Sequence, residues 1–261
     1  MLPLSLTGKT ALISGSTQGI GLAAAQALAS LGARCILLAR NESSLKEAIA
    51  TLTTASQPHG YLVADFSNPQ EVQNVVSAFV AETPIHILVN NTGGPPAGAI
   101  IEAKPEAFLA AFNQHLICNQ ILASTVLEGM KKEGYGRIIN VVSTSVKIPL
   151  KGLGVSNTIR GAVASWAKTW ANEVAAFGIT VNNVLPGATS TGRLSSIINN
   201  KASKGNLTLS EVEEEMLAEI PAKRFGKPEE IAFFIAFLAS PAAAYINGTS
   251  TPVDGGRTGS I

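Results

Sequence analysis

Short apolar runs rich in β-branched residues alternate along the chain with longer stretches of helical period. That alternation is the pattern of βαβ units and a parallel sheet. The spacing predicts strands over 10–14, 34–38, 60–64, 85–90, 137–142 and 180–185. Helices are expected between them, among them 20–31 and 43–52, with the two longest over 105–132 and 156–177. A strand such as Ile85-His86-Ile87-Leu88-Val89 hardly alternates, as expected where helices cover both faces of the sheet. No linker, repeat or low-complexity tract divides the chain, so the expectation is a single α/β domain over 1–261, a doubly wound parallel sheet in three αβα layers. Within it, 191–218 is polar, contains Lys201-Ala202-Ser203-Lys204-Gly205-Asn206 and ends in the acidic run from Glu211 to Glu215. It reads as a mobile insertion, either a solvated surface helix or a substrate lid, and fold analogy favours the lid.

Composition narrows the function. At 46% hydrophobic and 14% charged, the 261 residues suit one large core and not disorder. The 19 Lys and Arg against 18 Asp and Glu give a net charge of +1, which supplies no field for nucleic acid or an anionic membrane. Cys35 and Cys118 lack metal-ligand spacing and lie in apolar stretches, so they read as buried thiols in a reducing compartment, with no metal site. No apolar run reaches the ~20 residues of a membrane span, and the start of the chain lacks the features of a signal peptide. A cytoplasmic protein is the expectation.

Gly15, Gly19 and Gly21 fall directly after the first strand and open the first helix. A Cβ there would obstruct the tight turn or hold the backbone away from a pyrophosphate, which free N–H groups at the helix start would face. This is the mark of a nucleotide-binding Rossmann fold. The second strand ends Leu38-Ala39-Arg40, with no acid to take the ribose hydroxyls that NAD presents there. The fork of Arg40 suits a 2′-phosphate, so NADP(H) is favoured over NAD(H); the alternative is a solvent-facing arginine.

These residues resemble the short-chain dehydrogenase/reductase family over nearly the whole chain. Ser14-Gly15-Ser16-Thr17-Gln18-Gly19-Ile20-Gly21 is similar to its nucleotide loop, and Asp65, with Phe66 after it, to the site that contacts adenine. Asn90-Asn91-Thr92-Gly93 resembles the family's Asn-Asn-Ala-Gly turn, and Gly136–Ser143 its fifth strand with the active-site serine. Pro186-Gly187, followed by Thr189 and Thr191, resembles the turn that holds the nicotinamide carboxamide, and Val253-Asp254-Gly255-Gly256 the C-terminal signature. The resemblance implies an oxidoreductase, similar to 3-oxoacyl-[acyl-carrier-protein] reductases, that moves a hydride between NADP(H) and a small carbonyl or alcohol substrate. It also implies a homotetramer or dimer, with Trp166 and Trp170, at i and i+4, consistent with a contact face or with internal core.

The acid–base residues depart from the family. Reduction of a carbonyl builds alkoxide charge, so the site needs a proton donor and a group to hold the oxygen. Family members use Ser, then Tyr thirteen residues later, then Lys four beyond. Counted from Ser143, those positions are Ser156 and Arg160, and Arg160-Gly161-Ala162-Val163 resembles the Lys-Gly-Ala-Val that commonly follows. A register shifted by one gives Val155 and Ile159, again without tyrosine. The family's asparagine in the preceding helix aligns, by its distance to Met130, with His115, while Asn113 would face away. Tyr135 is expected at the wrong end of the sheet to help.

On a helix Ser156 and Arg160 lie on one face and can act together, with Arg160 on a ribose hydroxyl and Ser156 donating to a carbonyl. An aliphatic hydroxyl is a weaker acid than a phenol, so two further groups are candidate proton donors. His115 has a suitable intrinsic pKa, though it also fits a hydrogen-bonded histidine between helix and sheet. Lys147 lies four residues past Ser143, where family members line the substrate pocket, though it also fits a loop lysine in solvent. The Thr92–Gly98 turn, with two glycines and two prolines, reads as a stiff wall beside the nicotinamide ribose or as an ordinary rigid loop. The competing function is a non-catalytic NADP(H)-binding protein, a sensor or assembly subunit; a degraded site serving only assembly is a third reading.

Overall fold

Apolar runs bounded by glycine and polar turns form the strands that the alternation predicts. In the computed structural model, which describes residues 2–53 and 55–260, the strands are β1 (Thr10–Ser14), β2 (Arg34–Ala39), β3 (Gly60–Val63), β4 (Ile87–Asn90), β5 (Gly136–Val141), β6 (Ile179–Pro186) and β7 (Ser250–Val253). They pair in parallel in the order β3-β2-β1-β4-β5-β6-β7. The helices are α1 (Gly19–Ser30), α2 (Glu42–Ala50), α3 (Pro69–Val80), α4 (Pro105–Phe112), α5 (Cys118–Glu133), α6 (Gly154–Val174), α7 (Gly192–Gly205), α8 (Leu209–Ala218) and α9 (Pro228–Ala239). From β1 the chain moves outward to β2 and β3, then starts the other half at β4. The strand order therefore reverses between β1 and β4, and a crevice opens at their carboxyl ends.

Neighbouring strand residues face opposite sides, and both sides are apolar. Ile13, Leu37 and Val89 pack under α1, α2 and α9 with Leu28, Leu45 and Ile235. Leu12, Ile36 and Leu88 pack under α3, α5 and α6 with Val76, Leu122 and Ala167. Cys35 and Cys118 are free and buried within these two cores, and burial pushes both thiols up to about 12. Trp166 and Trp170, with ring centroids 5.9 Å apart, pack against the second core. Both indole N–H groups donate to Gln120 Oε1, at 2.7 and 2.9 Å.

Three features depart from the sequence expectation. The single helix expected over 105–132 is two, α4 and α5, joined by a π turn at Asn113–Ile117. The strand β7 was not anticipated: it is short, half-buried and carries Pro252, which an edge position tolerates because one side needs no ladder donor. At the carboxyl end of the sheet, a run of buried amides crosses four strands. Asn90 Nδ2 donates to Asn140 Oδ1 (2.8 Å), Asn140 Nδ2 to Asn183 Oδ1 (2.9 Å), and Asn183 Nδ2 to Ser250 Oγ (3.0 Å).

The segment 191–218 is a helical hairpin outside the sheet layers. Leu194, Ile198 and Ala202 of α7 pack on Val212 and Met216 of α8 as a small core of their own. Thr191 caps α7, and Thr208 with Glu211 forms a capping box on α8. The chain leaves and re-enters at one place, where Gly226 N–H donates to the Ala188 carbonyl and Ser190 N–H to the Gly226 carbonyl, both at 2.9 Å. Among the described residues, no helix is long and apolar enough to cross a membrane, and no group of side chains is arranged to hold a metal.

Candidate active site

The first turn is locked by Asn91. Its Nδ2 donates to the carbonyl of Gly15 (3.0 Å), its N–H donates to Ser14 Oγ (2.9 Å), and Ser14 Oγ donates to its carbonyl (3.0 Å). A Cβ on Gly15, where φ is +58°, would lie 2.5 Å from the Asn91 carbonyl oxygen, and one on Gly21 would strike the carbonyl of Gly15. These two glycines are therefore required by protein packing, the first of the two reasons that the sequence offered for them. The part of the loop that lines the cleft is Gly15, Gln18, Gly19 and Ile20. There α1 begins with no side-chain cap and no acid in its first turn. Bare N–H groups at a helix start suit a phosphate.

A cleft of about 1250 Å³ runs from this turn across the carboxyl ends of β4, β5 and β6 to α7. Gly15, Gln18, Gly19, Ile20, Asn91, Thr92, Gly93, Ser143, Ser156, Arg160, Pro186, Gly187, Thr189 and Thr191 all line it. A Cβ on Gly93 would meet nothing within 4 Å, so the wall is open there. Arg40, Asp65 and Phe66 lie outside this lining, past the ends of β2 and β3. Arg40 is exposed, and Asp65 accepts from the Ser67 N–H at 2.8 Å, which holds its carboxyl below the usual range. An adenosine reaching across β1 toward β2 would meet both. The cleft and the outer positions of Arg40 and Asp65 together fit the length of a dinucleotide. Thr17 and Gly21 also lie outside the lining.

At the chemical end, Ser143 caps a short turn after β5, and its Oγ accepts the Ser145 N–H at 3.1 Å, which leaves its own proton free. Ser156 and Arg160 stand one turn apart on α6, both buried and both facing the cleft. Arg160 donates to the Val141 carbonyl at 3.0 Å. Burial, then the neighbouring charge of Arg193, lowers its pKa to about 10, so it stays protonated at neutral pH.

Of the two readings open for each candidate proton donor, the geometry fits the structural one. His115 is buried in the π turn and does not line the cleft. Its Nδ1 lies 2.6 Å from Thr92 Oγ1, and its Nε2 is buried without a partner. Burial, then the charges of Arg160 and Arg193, push its pKa from 6.5 down to about 2, so at neutral pH it carries no imidazolium proton, and its place outside the cleft lining removes it from the chemistry. Asn113 is exposed, so the π turn does aim His115 inward and Asn113 outward. Lys147 is exposed and outside the lining, because the turn after Ser143 points it to solvent.

The tyrosines are all elsewhere. Tyr135 donates to the Ala239 carbonyl at the start of β5, Tyr61 donates to Glu42, and Tyr245 is fully exposed. Sequence reasoning missed Arg193, which enters the cleft from the first turn of α7 and donates to the Pro95 carbonyl at 2.5 Å. The signal was an arginine two residues past Thr191, on the face of the helix opposite Leu194 and Ile198.

Comparison with known proteins follows the same lines. A family model described as enoyl-(acyl carrier protein) reductase matches residues 15–258. The 3-oxoacyl-[acyl-carrier-protein] reductase of Vibrio cholerae is 35% identical over 254 residues, covering 97% of this chain and 98% of its own. The 2-dehydro-3-deoxy-D-gluconate 5-dehydrogenase of Bacillus subtilis is 35% identical over 262 residues, covering 97% and 95%. The structure of L-sorbose reductase from Gluconobacter frateurii, complexed with NADPH and L-sorbose, superposes with a TM-score of 0.92 at 31% identity, over 99% of this chain and 100% of that one.

Proposed function

The chain belongs to the short-chain dehydrogenase/reductase family, an oxidoreductase family, and on that premise we propose that it reduces a small carbonyl substrate with NADPH through a serine–arginine pair. The observation that carries this reading is the single cleft that joins the uncapped start of α1 to Ser143, Ser156 and Arg160. Relatives named for the reduction of 3-oxoacyl groups and a neighbour solved with NADPH support the cofactor and the reaction class.

Bound NADPH supplies the hydride. Gln18–Ile20 would offer backbone N–H groups to the diphosphate, Arg40 would hold the 2′-phosphate, Asp65 and Phe66 would contact the adenine, and Thr189 and Thr191 would hold the carboxamide. Ser143 and Ser156 donate to the substrate carbonyl oxygen. As the carbonyl carbon gains the hydride, the C=O π pair moves to that oxygen, which takes the proton of the Ser156 hydroxyl. Water in the open cleft returns a proton to Ser156. A serine is a poor acid, but the acceptor is an alkoxide of similar basicity, and the guanidinium of Arg160 one turn away favours negative charge on either oxygen. Thr92 and His115 shape the pocket as a neutral pair.

The α7–α8 hairpin serves as a lid hinged at Ala188–Ser190 and Gly226, a role supported by its separate core. The working form is a homotetramer or dimer in the cytoplasm. The family expectation supports the assembly, and two free buried thiols support the compartment.

The test is NADPH binding followed by fluorescence, together with NADPH oxidation over a panel of carbonyls and NADP⁺ reduction over the matching alcohols. Binding with turnover of at least one carbonyl is expected. Tight binding without any turnover would select the non-catalytic alternative, and no binding would defeat both.

A further inference from the structure

The net charge of +1 conceals a strong local surplus. Six Lys and Arg line the cleft, among them Arg160, Arg193, Lys201 and Lys204, against two carboxylates, of which Glu219 is already bonded to Arg257. The insertion sorts its charges by face. Arg193, Lys201 and Lys204 of α7 all line the cleft, and Arg193 and Lys204 lie within about 20° of each other around the helix, three turns apart. The acids Glu213, Glu214 and Glu215 of α8 are all exposed and outside the lining. A merely solvated hairpin would have no reason to separate them.

The two deeper cations are the costly ones. Arg160 is buried and Arg193 half-buried, and each lies close enough to His115 to depress its titration. Among the described residues neither has a carboxylate partner. Their hydrogen bonds go to the carbonyls of Val141 and Pro95. Desolvated positive charge without a counterion is unfavourable, and low-dielectric walls focus its field on whatever enters.

Resting on the reading of the cleft as a reductase site, we infer that the substrate carries an anionic group, a carboxylate or a phosphate. That group seats on Arg193, with Arg160 behind it and the lysines of α7 drawing it in. Arg193 stands over the Gly94–Pro95 wall, where a Cβ on Gly94 would lie 3.4 Å from its guanidinium, so the backbone there leaves room for its fork. The other source of such an anion is the cofactor's own diphosphate, for which the start of α1 is the bed.

Titration calorimetry of the NADP⁺ complex with malonate, inorganic phosphate and dimethyl malonate decides the matter. At least one of the two anions is expected to bind and the neutral diester not to; the tighter anion tells carboxylate from phosphate. Arg193→Gln is expected to weaken that binding by about tenfold or more while leaving NADP⁺ affinity within about twofold. The exposed pair Lys201→Gln/Lys204→Gln, which touches no core, is expected to weaken it by about two- to fivefold. Equal binding of the diester, binding of neither anion, or indifference to Arg193→Gln would overturn the inference. Loss of NADP⁺ affinity in Arg193→Gln would assign the arginine to the cofactor and overturn it too. Repeating the titrations without nucleotide keeps the outcomes separate: a protein that binds malonate but not NADP⁺ retains the anion site and loses the reductase reading.

Discussion

Thr92 Oγ1 lies 2.6 Å from Nδ1 of His115, so a residue of the cleft wall is held by an imidazole that never reaches the cleft. The π turn at Asn113–Ile117 makes the contact possible, because its wider turn lets the ring point toward β4 between two regular helices. A side chain whose ordinary pKa suits acid–base work is thereby converted into a neutral support for the pocket.

That conversion has a pH signature. The unfolded chain protonates His115 near 6.5, whereas the folded protein resists until about 2. Between those values the unfolded state binds one more proton. Stability is therefore complete above the unfolded pKa and falls as pH drops below it, by up to about 1.4 kcal/mol per pH unit. His86, shifted downward mainly by burial, acts in the same direction. Urea midpoints are expected to fall between about pH 7 and pH 5, and His115→Gln to flatten that slope. An unchanged slope in the variant would remove His115 from the account.

The glycine loop predicts a structural lesion rather than a simple binding defect. Gly21→Ala drives a methyl group into the Gly15 carbonyl, a backbone atom that cannot swing aside. A loss of about 1–3 kcal/mol of stability is expected in denaturant unfolding, with nucleotide affinity falling alongside. Intact stability with affinity alone lost would mean that the glycine serves ligand clearance after all.

We propose that Arg40 sets the choice of cofactor. It is exposed at the end of β2, beside Asp65, where it can reach a 2′-phosphate. Arg40→Gln is expected to weaken NADPH binding by about tenfold or more and to leave NADH binding unchanged, because a charge-assisted fork is lost only with the former. Equal effects on the two cofactors, read by fluorescence titration, would leave the preference to other residues.

Much of this was legible in the sequence because it rests on local rules. Apolar runs without alternation gave the buried parallel strands, and glycines after the first strand located the nucleotide turn. Ser156 and Arg160, which line the cleft, were reached through the resemblance to the family, by its spacing counted from Ser143. What was not legible depends on long-range placement. Asn90, Asn140 and Asn183 are far apart in sequence and become one hydrogen-bonded run only when β4, β5 and β6 pair in register. Lys147 could not be told from a pocket residue until the turn after Ser143 was seen to point it outward. That the charges on α7 face the cleft was not legible, because the face they occupy is defined only by how Leu194 and Ile198 pack on α8. The protonation of His115 could not be read from its identity, since burial and two arginines from distant segments set it.

The most direct measurement is the rate of NADPH oxidation by the wild type and by Ser156→Ala over a panel of small carbonyls and carbonyl acids. The account predicts turnover by the wild type. It also predicts that the variant loses about 10²-fold or more in kcat, the size expected for a missing donor to a developing oxyanion, with NADPH affinity unchanged. Turnover undiminished in Ser156→Ala, or NADPH held tightly by both proteins and never oxidised, would contradict it.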